Sequence, residues 1–206
     1  MKKYIPKWLF PSKTIPITPW RSNHYWKTKP STFLILILGL WLFGTGEAFL
    51  LAAGEGISPW TVFAQGISVQ TGLSIGWTTF ITGVAVLALW FPLKIKPGLG
   101  TVLNIIIISL SLEIMMKILP HPKENVWQIL QILAGIAIVG LGSGFYLTCH
   151  MGAGPRDGLM TRLHYLTGLP VGRVRLFIEV TVLTIDRKST RLNSSHSQQS
   201  RMPSSA

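Results

Sequence analysis

Four apolar runs, each about as long as the roughly 20 residues a helix needs to cross a membrane's hydrocarbon core, constrain this chain more than any other feature. They cover about 33–53, 73–91, 100–119 and 126–147, and a fifth runs over about 174–185, where it is cut short. Backbone in lipid must satisfy its own hydrogen bonds, so such runs predict an all-α, polytopic transmembrane helical protein. Composition agrees. Of 206 residues, 48% are hydrophobic and 13% charged, which is unlike a soluble domain.

The formal net charge is +12, but the cations collect in the N-terminal stretch, the short loops and the C-terminus. That placement predicts the lipid bilayer as partner, with anionic lipids near the basic tail and loops, and no nucleic acid. Residues 1–32 hold Lys2, Lys3, Lys7, Lys13, Arg21, Lys27 and Lys29 and read as a basic cytoplasmic tail. Trp8, Trp20 and Trp26 within it suit the headgroup level. The first loop has no lysine or arginine and the second has Lys94 and Lys96. The third has Lys123 beside Glu124, and the fourth has Arg156, Arg162, Arg173 and Arg175. The positive-inside rule then places the N-terminus in the cytoplasm. Cys149 is the single cysteine. It allows no internal disulfide and reads as a small buried residue near a helix end.

Residues 186–206 break abruptly into a polar, Ser-rich run. "DRKSTRLNSSH" and "SRMPSSA" resemble the constant parts of a translated sequencing adapter, so this tail is set aside as an expected artefact. The remaining domain is 33–185, and a final span is expected to be missing from it.

The two halves of that domain repeat. Gly44, Gly46, Gly54 and Gly56 match Gly142, Gly144, Gly152 and Gly154, and Pro59 matches Pro155 after a gap of two. "TGL" recurs at 71–73 and 167–169, and Gly76 matches Gly172. Each copy predicts a span, a Gly-rich turn, a short helix and a second span. The prolines suit the first helical position. Ser58 can cap the first short helix, where the second has the weaker cap Gly154. The segments 59–70 and 155–166 are too short to span, and so are either interfacial or re-entrant. The copies begin three spans apart, so they point opposite ways: an inverted repeat of two three-span units, as in secondary transporters.

"SPWTVFAQGISVQTGLSIG", "GLGTVLN" and "GAGPRDGLMTRLHYLTGLPVGRVRLFIE" resemble the bacterial YczE/YyaS/YitT family of integral membrane proteins over about residues 33–183. The resemblance implies a small multi-span protein of the bacterial plasma (inner) membrane, and implies no substrate.

Ionisable groups inside spans cost free energy and call for a reason. Glu47, Glu113, Glu179 and Asn104 are the candidates for a substrate or proton path. Glu113 and Glu179 also fit as i,i+4 partners of Lys117 and Arg175. Glu47 has no cation on its own helix and is flanked by Gly44, Gly46 and Ala48. Its other reading is a carboxyl near the outer interface, protonated or paired with another span. Asn104 also suits an interhelical hydrogen bond. The loop motif is Pro59 together with Gly154, Pro155, Arg156, Asp157 and Gly158. There Asp157 suits a helix N-terminus, and Arg156 suits an anion, a lipid headgroup or simple cytoplasmic retention. Gly140 and Gly144 form a GxxxG pattern expected to pack helices. No metal spacing, P-loop or catalytic pair is present, so no cofactor and no enzyme activity are expected. The architecture points to a small-solute transporter or channel-like protein of unknown substrate. The competing reading is a non-transporting scaffold or regulator that docks a cytoplasmic partner.

Overall fold

The computed structural model describes residues 16–54, 58–122 and 124–184. The suspected adapter tail and residues 1–15 of the basic tail lie outside them. The described residues form helices only: α1 Pro30–Ala53, α2 Pro59–Thr71, α3 Ile75–Ala88, α4 Leu99–Ile118, α5 Asn125–Thr148 and α6 Pro155–Thr167, then α7 over 171–184. α1, α4 and α5 are each long and apolar enough to cross a membrane. The α2–α3 pair, bent by 119°, makes a fourth crossing if it counts as one broken span.

The expected second span, 73–91, is shorter than its hydropathy suggests. Its helix stops at Ala88 and residues 89–94 form turns. Pro92 explains the stop, because it disfavours helical backbone at Phe91 and brings no N–H of its own. At 1.5 Å per residue the 14 residues of α3 reach about 21 Å, short of the ~30 Å core.

Close backbone contact fixes the packing of α1 on α5. A Cβ on Gly39 would meet the Tyr146 nitrogen at 2.8 Å and the Gly142 oxygen at 3.0 Å. One on Gly46 would meet Val139 and the Gly135 oxygen. As numbers rise along α1 they fall along α5, so the helices are antiparallel. The contacting glycines are seven apart on each helix, two turns along one face. This corrects the GxxxG expectation. Gly140 and Gly144 have nothing within 4 Å of a built Cβ, because two residues from Gly142 rotates them about 200° to the far side.

α4 lies on another face of α1 and runs parallel to it. Leu36 and Leu40 pack with Ile107 and Leu103, whereas Ala48 and Leu51 pack with Leu112 and Met115. Thr45 and Ser111 join their hydroxyls at 3.1 Å, and Ser111 also donates to the Trp41 carbonyl. α3 is antiparallel to α4, with Gly76 against Glu113 and Gly83 against Ile105. Successive crossings therefore alternate in direction. The repeated elements α1 and α5 run oppositely, as an inverted repeat requires.

The short helices match in detail. Ser58 caps α2 by accepting from the Thr61 N–H, while Gly154 gives α6 no side-chain cap. Both helices end on the repeated "TGL", where Gly72 (φ 72°) and Gly168 (φ 66°) adopt the left-handed conformation that favours glycine. The segment before α1 does not float free. Trp20 Nε1 donates to Thr148 Oγ1 at 3.0 Å and the Ser22 N–H donates to the Cys149 carbonyl. Cys149 itself is buried.

Opposed copies give a sidedness test. Gln65→Cys and Thr161→Cys, each in a Cys149→Ser background, place thiols at exposed positions of α2 and α6. On intact cells an impermeant maleimide is expected to label one, and the other only after permeabilisation. Equal labelling of both would mean the copies do not face opposite sides.

Candidate functional site

The N-termini of α2 and α6 come from different copies, yet their side chains reach the same place. Trp60 and Arg156 each occupy the second position of a short helix, and the guanidinium carbon lies 5.1 Å from the indole centroid. No pair of side chains bridges two helices lying on opposite surfaces of a ~30 Å core. That contact favours re-entrant short helices over interfacial ones. It also shows why the prolines recur: Pro59 and Pro155 start each helix where a missing N–H is harmless.

Each copy ties its short helix to its preceding span through an acid–hydroxyl bond at the third helical position. In the first copy Thr61 donates to Glu47 Oε2 at 2.7 Å, and Ser58 donates to the same oxygen at 3.4 Å. In the second, Tyr146 donates to Asp157 Oδ2 at 2.6 Å. Acid and hydroxyl have exchanged helices between the copies. Glu47 is 8% exposed, and the Thr61 and Ser58 hydroxyls hold its carboxyl. Both carboxylates lie near enough to Arg156 to act on it electrostatically. Among the described residues, however, neither comes within ion-pair distance.

Between these groups lies a cavity of ≈ 90 Å³, lined among others by Glu47, Thr61, Thr79, Asn104, Arg156 and Asp157. It shares Glu47, Arg156, Asp157, Phe43 and Tyr146 with a wider space of ≈ 530 Å³ that extends to Arg175 and Glu179. α4 contributes Asn104 from its second turn, beside Gly154, where a built Cβ would sit 3.2 Å from the amide nitrogen. Thr101 fixes that loop by donating to the Ala153 carbonyl at 2.8 Å. Trp90 fixes it from the other side, donating to the Pro155 carbonyl at 2.9 Å.

The structure brings together Glu47, Asn104 and the Gly154–Asp157 part of the loop motif. Pro59 opens α2, and Gly158 packs on Trp90. Glu179 borders only the wider space, ion-paired with Arg175 at 2.7 Å. Glu113 is elsewhere. It accepts from the Gly76 N–H at 2.9 Å and pairs with Lys117 at 3.0 Å, holding the start of α3. Among the described residues Asn104 makes no interhelical hydrogen bond. Sequence reasoning missed Trp60, Thr61, Thr79 and Tyr146. The repeat held a signal for two of them, since Trp60 and Thr61 occupy the positions of Arg156 and Asp157 after the matched prolines.

Fold and site together define a polytopic helical membrane protein with a cavity, lined in part by charged and polar side chains, at the meeting point of two opposed half-structures. The model of a family of unknown function, DUF6198, matches residues 30–188. An uncharacterized protein of Haemophilus influenzae is 42% identical over 170 residues, covering 82% of this chain and 78% of its own. The uncharacterized membrane protein YczE of Bacillus subtilis is 31% identical over 151 residues, covering 73% and 67%. The chain belongs to this YczE-like DUF6198 family of integral membrane proteins. No solved structure matches it.

Proposed function

We propose that this protein moves a small solute across the bacterial plasma membrane, with the cavity between α1, α2, α4 and α6 as its binding site. One observation carries the reading: the N-termini of two short helices, one per inverted copy, converge on a single cavity holding Glu47 and Arg156. Half-helix N-termini meeting between inverted repeats are what alternating-access transporters use to hold solutes. Buried ionisable groups are costly in a membrane and are kept where they serve a path. The protein carries out no chemistry on the solute in this reading. The N-terminus is cytoplasmic, and anionic lipids sit against the basic tail and loops.

The test needs no knowledge of the solute. Asn104→Cys in the Cys149→Ser background puts one thiol in the cavity. Right-side-out and inside-out vesicles are each exposed to a small, charged, impermeant thiol reagent. Modification from both faces is the expected result. Modification from one face only, or from neither, would leave no path through the site and favour the scaffold reading.

A further inference from the structure

Building on that transport reading, we infer that the cavity binds a small carboxylate, with its oxyanion held by Arg156, Asn104 and Thr79.

The unused hydrogen-bonding groups decide the ligand's chemistry. One oxygen of each carboxyl already accepts, Glu47 Oε2 from Thr61 and Ser58 and Asp157 Oδ2 from Tyr146. Among the described residues the donors opposite them are idle. Thr79 is 8% exposed, its Oγ1 is buried with no partner, and it lines the cavity. The Asn104 amide makes no hydrogen bond and faces the same space. Arg156 stacks on Trp60, yet none of its guanidinium N–H groups is bonded to a described residue. A guanidinium's planar fork matches a carboxylate in two parallel bonds. A buried polar group left without a partner is costly, and the Thr79 hydroxyl is one, so an occupant that pairs with it and with the half-buried Arg156 and Asn104 is preferred to an apolar one. α2 and α6 also present the positive ends of their helix dipoles to an anion here. The ≈ 90 Å³ of the inner cavity admits a few non-hydrogen atoms and excludes bulky acids.

The direct experiment is thermal unfolding of the purified full chain in detergent against acetate, methylammonium and phosphatidylglycerol. Acetate is expected to raise the melting temperature saturably, with chloride at equal ionic strength giving no such rise. The response should disappear in Arg156→Gln and be weakened at least tenfold in apparent affinity in Thr79→Val. If Arg156→Gln does not fold, Arg156→Lys serves instead, since it keeps the charge but loses the fork. Stabilisation by methylammonium and not acetate would overturn the inference in favour of a cation site led by Glu47. Stabilisation only by phosphatidylglycerol would overturn it in favour of a lipid headgroup. No response to acetate at tens of millimolar would overturn it outright. Failure here is separable from failure of the transport reading. Acetate binding with a one-sided Asn104→Cys site sinks transport alone, and a two-sided site without acetate binding sinks the ligand class alone.

Discussion

Gly142→Leu is expected to abolish the folded state in detergent, while Gly140→Leu and Gly144→Leu melt with the parent protein. A Cβ at Gly142 would stand 2.5 Å from the Phe43 nitrogen and 2.7 Å from the Gly39 carbonyl oxygen. Both are main-chain atoms, so no rotamer change relieves the contact. Only separating α1 from α5 does, and that would break the reciprocal Gly46–Gly135 contact along the same seam. Overpacking a tight site costs about 1–3 kcal/mol and sometimes more. A leucine against rigid backbone belongs at the top of that range or beyond it. In lipid, where no hydrophobic drive holds helices together, close packing of small residues is the main attraction at such a seam, so little remains to offset the loss. At Gly140 and Gly144 the added side chain meets open space, and a change within about 0.5 kcal/mol is expected. The measurement is the monodisperse fraction on size exclusion, followed by thermal unfolding. Equal melting of Gly142→Leu and parent would mean α1 and α5 do not share this seam.

The seam marks where the sequence could be read and where it could not. The spans at α1, α4 and α5 were legible because hydrocarbon thickness forces about 20 apolar residues on a crossing helix, whereas the one expected at 73–91 is cut to 14 residues. The short helices were legible because their boundaries are set by backbone chemistry. Proline starts each one, and a left-handed glycine ends each one at residues 72 and 168. Which face of α5 packs was not legible. Gly140–Gly144 has the familiar spacing, but Gly135–Gly142 makes the contact, and only a partner helix distinguishes the two. The site was half legible. Glu47 announces itself by the cost of charge in a membrane, and Arg156 by its place after the repeated proline. Thr61, Thr79 and Tyr146 do not, since hydroxyls in apolar runs more often bond their own helix, as Thr82 bonds the Thr78 carbonyl. Glu113 takes the other of its two readings, the pair with Lys117. A carboxylate in a span suggests a path, yet here it holds the first turn of α3.

Trp90 gives the second large effect, and it links stability to the site. The indole is 3% exposed, it donates to the Pro155 carbonyl, and its Cζ2 would overlap a Cβ on Gly158. It therefore wedges the first turn of α6, the turn that carries Arg156 and Asp157. Trp90→Ala is expected to cost about 3–5 kcal/mol, as for other buried aromatics. Gly158→Ala alone should also destabilise, because the methyl group and the indole cannot occupy one volume. In the Trp90→Ala background the obstacle is gone, so adding Gly158→Ala should cost almost nothing. The coupling energy from the four melting curves is expected to be favourable and to fall within about 0.5–3 kcal/mol. Simple additivity would mean Trp90 does not seat on Gly158. A wedge that only stabilised the fold would leave the binding of acetate to folded Trp90→Ala unchanged. A wedge that also aims Arg156 into the cavity should weaken that binding in whatever fraction of the variant remains folded.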